Sequence, residues 1–242
     1  MKLLIIRHAE PDYSIDSLTP KGWKEAELLA ARLAAMDISA FYTSPLGRAR
    51  DTASATLKKA KAEAAVLPWL REFNAPIHDE ATGEERIPWD WLPAEWTKTP
   101  EFYDKNLWHT VPVMQAGQVM EEALRVHNGL DEILKTHGYQ REGQVYRATM
   151  PNNKTIAFFC HFGVECVMLG HLLGLSPMVL WHGFCALPSS VTTVITEERR
   201  QGIASFRVNA FGDTGHLYAG GEPLSFAARF CEVYGNHGER CD

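Results

Sequence analysis

The apolar positions of this chain begin as a short unbroken run, Leu3-Leu4-Ile5-Ile6, and continue as helical stripes separated by similar short runs. A run of that length is too short for a helix and reads as a strand buried on both faces. It leads directly into Arg7-His8. Thr19-Pro20 then opens a helix, with Thr19 as N-cap and Pro20 at the first helical position. Ala26, Leu29, Ala30 and Leu33 form its buried stripe, and it ends near Met36. Ala40 to Thr43 is the next strand, Gly47 to about Ala60 the next helix, and Ala65 to Leu67 a short third strand. Alternating strands and helices in this order predict a parallel α/β sheet.

The alternation stops at Phe73. From there to about residue 117 the chain is irregular and rich in proline and tryptophan, including Trp89, Trp91, Trp96 and Trp108. The segment is too apolar for disorder and reads as an insertion. It is either a satellite mini-core or a cap over the mouth of a site, and the two are compatible. Helical periodicity returns from Gln118 to about Thr136. Gly138 to Asn153 is a polar excursion with a hairpin around Arg141-Glu142-Gly143. Lys154 to Cys160 is another buried strand, and again it runs straight into a histidine, His161. Val164 to Leu173 reads as a helix closed by Gly174. Val191 to Thr196 and Ile203 to Phe211 read as strands, and Gly212 to Asp242 carries no strong signal.

Composition narrows the class. The chain has 242 residues, 45% hydrophobic and 22% charged, enough for a sizeable core. The expected organisation is one α/β domain over 1–242 with an aromatic cap insertion at about 73–117. The net charge of −6 argues against nucleic acid or an anionic membrane as partner. An anionic substrate must then be drawn by local arginines. No apolar run approaches membrane-spanning length, and the run after Met1-Lys2 is too short for a signal-peptide core. Five cysteines, Cys160, Cys166, Cys185, Cys231 and Cys241, without an export signal predict a cytoplasmic protein with free thiols. Neither Cys-x-x-Cys nor His-Glu-x-x-His occurs, so neither metal nor cofactor is expected.

The candidate chemistry lies at strand ends. His8 and His161, far apart in sequence, meet at one sheet edge if their strands are neighbours, and that edge is where open α/β sheets bind ligands. Arg7 supplies a planar fork of donors that matches phosphate oxygens. Arg48 stands in the first turn of a helix directly after a strand, where a phosphate gains the helix N-terminus as well as the guanidinium. The ordinary alternatives are a strand-end pair that caps a loop, and a hydrogen-bonded core histidine at 161. Cys160 precedes His161 on a strand and should face the other side, so a catalytic thiol is not expected. His171 and His182 belong to no motif and read as structural.

Taken together, these residues resemble the histidine phosphatase superfamily, which includes the cofactor-dependent phosphoglycerate mutases. Arg7-His8-Ala9 matches its Arg-His-Gly opening, and Leu18 to Gly22 its Leu-Thr-x-x-Gly helix start. Ser44 to Ala53 matches its Ser-x-Leu-x-Arg-Ala-x-x-Thr-Ala segment, Leu70-Arg71-Glu72 its Leu-x-Glu, and His161-Phe162-Gly163 its second histidine. The resemblance implies a three-layer helix–sheet–helix fold of the phosphoglycerate mutase type, with a mostly parallel central sheet and a cap insertion. It implies His8 as nucleophile, with Arg7, Arg48 and His161 around the phosphoryl oxygens. The turn after His161 places Phe162 at the phosphate pocket, with its side chain turned away. Glu72 is the implied proton donor, with Asp79, Glu84 and Glu85 as rivals, because the residues after Glu72 depart from the family pattern. The implied activity is that of a metal-independent phosphomonoester hydrolase of the histidine acid phosphatase type, acting on a small phosphorylated substrate. A mutase and a phosphate-ester-binding module without turnover are the alternatives. The oligomeric state is not legible.

Overall fold

Residues Leu3 to Ile6 form the centre of β1 (Lys2–Arg7) because every one of them has a core to enter. In a computed structural model that describes residues 1–226, Leu3 and Ile5 face one hydrophobic cluster, and Leu4 and Ile6 face another on the opposite side of the sheet. A strand covered on both faces needs an unbroken apolar run, which is what these positions supply.

The strands that follow are β2 (Ala40–Thr43), β3 (Ala64–Val66), β4 (Tyr139–Glu142), β5 (Val145–Ala148), β6 (Thr155–Cys160), β7 (Val191–Arg200) and β8 (Ile203–Asp213). They join β1 in one eight-stranded sheet of order β3-β2-β6-β1-β7-β8-β5-β4. The first four in that order are parallel; from β7 onward the pairing is antiparallel. The predicted parallel unit is therefore present and extended by an antiparallel half. The polar hairpin around Gly143 is β4–β5, and it forms the far edge of the same sheet through Ile203–Arg147 and Ala204–Tyr146 pairing. Its alternation showed a hairpin but not its docking partner, which lies more than fifty residues on.

Helices cover both faces. On one side lie α1 (Pro20–Ala34) and α2 (Gly47–Ala60), whose Leu29, Leu33 and Ala53 pack on Leu4, Ile6 and Phe159. Thr19 caps α1 through its hydroxyl, which accepts from the amide of Gly22, with Pro20 at the first turn as expected. On the other side lie α3 (Val119–Thr136) and α4 (Phe162–Leu173). α4 is buried along nearly its whole length and is closed by Gly174 in the left-handed conformation at φ 69°.

The insertion is more ordered than its sequence suggests. It contains a small hairpin, Ile77–Asp79 with Glu84–Arg86, and several short helical turns. The expected satellite mini-core is absent as a separate unit. Trp96, Phe102 and Trp108 belong to the same cluster as Leu3, Phe158 and Val126. The bridge is a helix that periodicity did not reveal, α5 (Pro177–Gly183). Its Trp181 lies 5.1 Å from Phe73 and 5.8 Å from Trp108 between ring centroids. The signal was present in Ser176-Pro177, an N-cap followed by proline at the first turn.

Candidate active site

β1 and β6 are parallel neighbours, with Arg7 level with Cys160, so their chains leave the sheet side by side. The next residues, His8 and His161, therefore meet. Their ring centroids are 5.2 Å apart, the planes are inclined at 58°, and both residues are buried.

Each ring is held by a different partner. Nδ1 of His8 lies 2.8 Å from the carbonyl oxygen of Ala9. A carbonyl only accepts, so Nδ1 carries the proton and Nε2 keeps its lone pair. Burial, with the nearby charges of Arg7 and Arg48, pushes the His8 pKa well below the ordinary histidine value, against the backbone hydrogen bond. The ring is neutral at pH 7. Nε2 of His161 is 2.7 Å from the hydroxyl of Ser44, and its Nδ1 is buried with no hydrogen-bond partner among the described residues. An orphaned buried ring nitrogen at such a position is a place for a ligand atom. Burial, then His8, Arg48 and Arg7, depress the His161 pKa well below its usual value.

Arg7 is buried, with Nη1 donating to the carbonyl of Ala186 and its guanidinium carbon 5.8 Å from the centre of the Phe162 ring. Arg48 is held by Asp16, whose Oδ1 lies 2.6 Å from Nη1, and by Tyr13, whose ring centre lies 5.3 Å from the guanidinium carbon. Sequence reading did not single out Asp16 or Tyr13. Asp16 has φ 47°, a left-handed conformation that an aspartate tolerates, and this turns its carboxylate toward α2. Its Oδ2 accepts the amide of Gly47 at 2.7 Å. That corrects one expectation: the first amide of α2 is already occupied by a carboxylate, so an anion beside Arg48 meets the guanidinium without that amide.

Glu72 is the candidate acid that the fold brings to the pocket. Its Oε1 accepts the amides of Phe73 at 2.7 Å and Val164 at 2.9 Å, and its Oε2 accepts that of Gly163 at 3.2 Å. The carboxyl group thus sits on the N-terminus of α4, next to His161. Burial raises its pKa, and the three amides and Arg7 oppose that without cancelling it. Gly163 is required for this approach. A Cβ there would come within 2.8 Å of both Glu72 and the Trp89 indole. The Glu72 carboxyl is not neutralised by the adjacent Arg71, whose guanidinium makes a bidentate pair with Glu122 at 2.8 and 2.9 Å. The rival carboxylates lie elsewhere. Asp79 pairs with Arg86 in the small hairpin, and Glu84 and Glu85 are exposed on it, bonded to Arg86 and His78.

His161, fully buried, stands against His8, while Arg7, His8, Arg48, Glu72 and Phe162 line one cavity of about 610 Å³. Arg7, His8, Arg48 and Glu72 form its floor, and Tyr13, Ile87, Trp89 and Asp90 help wall it. The insertion therefore contributes both to the core and to the wall of the site. Trp89 is fixed there by donating Nε1 to the carbonyl of Phe73 at 2.7 Å. Motif residues outside the cavity also acquire reasons. Ser44 orients His161, and the hydroxyl of Thr52 accepts the amide of Ala9 at 2.9 Å. Cys160 faces the cluster on the α3–α4 side, where burial raises its thiol pKa well above normal. His182 bonds the carbonyl of Pro88 and stacks on Trp96, a structural role as expected.

An α/β sheet that ends in two neutral histidines between two arginines, with a buried carboxyl beside them, is equipped to hold a tetrahedral oxyanion next to a nucleophile. A model of the histidine phosphatase superfamily, branch 1, matches residues 3–209, and the chain belongs to that superfamily. Over 94 residues it is 36% identical to a 2,3-bisphosphoglycerate-dependent phosphoglycerate mutase of Methanosarcina acetivorans, covering 35% of this chain and 34% of that protein. Over 60 residues it is 42% identical to the corresponding mutase of Thermoplasma acidophilum, covering 21% of this chain and 30% of that protein. The chain thus spans about a third of the length of these curated relatives. Among solved structures it resembles a phosphoserine phosphatase mutant of Entamoeba histolytica in complex with phosphoserine, with TM-score 0.60, 21% identity, and 89% and 98% of the two chains covered. It also resembles a mycobacterial glucosyl-3-phosphoglycerate phosphatase, with TM-score 0.58, 16% identity, and 87% and 98% covered. At these identities the structural likeness speaks for the fold. Among the described residues, no helix is long and apolar enough to cross a membrane.

Proposed function

We propose that this chain hydrolyses small phosphate monoesters through a phosphohistidine on Nε2 of His8. The observation that carries the reading is the His8 tautomer: Nδ1–H is committed to the carbonyl of Ala9, which leaves Nε2 as a neutral nucleophile beside Arg7, Arg48 and His161. In the first step Nε2 attacks phosphorus, the P–N bond forms and the P–O bond to the leaving group breaks. Glu72 gives its proton to the departing oxygen. Oε2, with the longer of its amide contacts, is the oxygen suited to carry that proton. In the second step the Glu72 carboxylate takes a proton from water, the water oxygen attacks phosphorus, and the P–N bond breaks to release inorganic phosphate. Arg7, Arg48 and His161 Nδ1 balance charge on the phosphoryl oxygens throughout, and Phe162 supports Arg7 through its ring. Cys160 and Cys166 are buried free thiols, which fits a reducing, cytoplasmic setting; Cys231 and Cys241 lie outside the described residues.

The test is rapid quench with p-nitrophenyl phosphate in EDTA. A burst followed by steady turnover, with an acid-labile, base-stable adduct on His8, supports hydrolysis. A stable adduct without release would instead identify a phosphate-ester-binding module. The mutase reading is kept because both curated relatives are mutases over the stretch they share with this chain. Isomerisation of 3-phosphoglycerate primed with the 2,3-bisphosphate, in the absence of net hydrolysis, would replace the hydrolase reading with it.

A further inference from the structure

A further cavity lies at the opposite end of α4 from His161, and nothing in the proposed reaction uses it. Ten residues of helix separate His161 from His171, roughly 15 Å at 1.5 Å per residue. The cavity measures about 410 Å³ and is lined by the basic residues Lys105, His109, His127, Arg141 and His171, two amides, and small or apolar residues. The chain carries 30 acidic residues against 24 basic ones, yet among the described residues the lining contains no aspartate or glutamate.

The cations at this cavity are held in place by neutral groups. Arg141 donates Nε to the carbonyl of Gly143 at 2.6 Å, and Nη1 to the hydroxyl of Tyr146 and the carbonyl of His171, each at 3.0 Å. Its guanidinium carbon lies 4.9 Å from the centre of the Tyr146 ring. Among the described residues, Nη2 makes no hydrogen bond and no carboxylate lies within ion-pair distance of this arginine, Asp131 acting on it only from further off. Lys105 donates to Oε1 of Gln144 at 3.1 Å, which leaves two of its three N–H groups for other acceptors. The carboxylate nearest to the rings, Asp131, is outside the lining. Its oxygens are taken by His171 Nε2 at 2.9 Å and the Tyr146 hydroxyl at 2.7 Å.

The two histidines form a flat wall. The rings of His127 and His171 stack with centroids 4.1 Å apart and planes at 13°. Burial, His171, Arg141 and His109 push the His127 pKa down to about 3, so its ring is neutral, although Asp131 pulls the other way. The carbonyl end of α4 does not present open acceptors here. The carbonyl of His171 is covered by Arg141, and that of Gly170 by the amides of Gly174 and Leu175. What lines the cavity is therefore a set of donors and basic side chains, with the nearby carboxylate, Asp131, turned to His171 and Tyr146 from outside the lining.

We propose that this cavity binds a small anion carrying phosphate or carboxylate groups, gripped by Lys105 and Arg141 against the His127–His171 wall. Arg141 supplies the planar donor edge that such groups match, and Lys105 closes the opposite side as a point charge. The site is separate from the proposed catalytic cavity, so the proposal stands or falls independently of the hydrolase reading.

The experiment is a titration of the ring-labelled protein at constant ionic strength with inorganic phosphate and, in a second arm, with succinate. Imidazole resonances are followed by NMR. His8 and His161 report the catalytic cavity, while His127 and His171 report this one. The expected result is a saturable shift of His127 and His171, with a midpoint that Lys105→Met raises by about tenfold. The His8 and His161 isotherm and kcat/KM for p-nitrophenyl phosphate should stay within about twofold in that variant. Lys105 is exposed, so this variant folds; Arg141→Gln gives a second and larger loss. The arm that shifts the rings shows whether phosphate or carboxylate is preferred. Static His127 and His171 resonances in both arms, or a midpoint indifferent to Lys105→Met, would overturn the proposal.

Discussion

Two pairs of histidines stand at opposite ends of α4, and they are built differently. His8 and His161 are brought together by two parallel strands, are buried, and lie at a tilt with 5.2 Å between centroids. His127 and His171 come from two helices and stack nearly flat at 4.1 Å. The first pair is oriented by neutral acceptors and donors, a backbone carbonyl and a serine hydroxyl. In the second pair His171 is anchored by a carboxylate, Asp131, and His127 is held by stacking on it. The Ala9 carbonyl holds the proton on Nδ1 of His8 and leaves Nε2 with its lone pair, which is what a nucleophile needs, whereas Nε2 of His171 is taken up by Asp131. The contrast separates a pair suited to attack phosphorus from a pair suited to forming a wall beside an anion.

The contrast is broken most directly by His8→Ala. Turnover of any phosphomonoester should fall by about a thousandfold or more while thermal unfolding stays cooperative. The matching change at the other pair, His127→Ala, should leave kcat within about twofold. Steady-state assays on both variants decide this, and retained turnover in His8→Ala would end the phosphohistidine mechanism.

Glu72→Gln comes next. Loss of the proton donor should cost about a hundredfold or more with alkyl phosphates and much less with p-nitrophenyl phosphate, whose leaving group needs little protonation. Because burial raises the Glu72 pKa, activity on alkyl phosphates should fall as pH rises through that pKa. The depressed His8 pKa keeps the nucleophile neutral on the acid side. An equal loss with both leaving groups would move the acid role elsewhere.

Asp16→Asn tests the support of Arg48. Arg48 loses its ion pair, and the expectation is a KM raised by about five- to tenfold with kcat changed less. A change in kcat alone would argue against a role in holding the phosphoryl group.

The smallest expected effect is on stability. Glu165, buried in α4 one turn after His161, has its pKa raised to about 8 by burial. Its folded state holds a proton that the unfolded state gives up near pH 4.5, so the stability it contributes is present below that value and is lost as pH rises to about 8. Glu25, pushed up to about 7, acts in the same direction. Melting curves should show Tm falling by roughly 3 °C or more from pH 6.5 to 8, and Glu165→Gln should flatten most of that decline. An unchanged slope in the variant would place the ionisation elsewhere.

Much of the first pair is legible in the sequence. Apolar runs that end in Arg7-His8 and His161, the Thr19-Pro20 cap, and the spacing from Ser44 to Ala53 are local patterns, and local patterns carry strand, helix and cap information directly. The reasons for several motif residues were not local. Ser44 reaches a histidine 117 positions away, and Glu72 reaches amides more than 90 positions away. The second pair was unreadable for the same reason: His127 and His171 lie on separate helices, and neither period nor composition indicates that those faces meet.

The sequence by itself therefore determined the main strands of the parallel unit, the helices α1 to α4 and the histidines and arginines proposed to react. These depend on side-chain pattern over a few residues and on motif chemistry. Tertiary structure alone decided which carboxyl stands at the pocket, that Asp16 occupies the start of α2, and that the tryptophans divide between core and wall. It also decided that the polar hairpin extends the main sheet. Each of these is a contact between distant segments, selected by burial and hydrogen-bond satisfaction across the whole fold, and no local stretch of sequence carries that information.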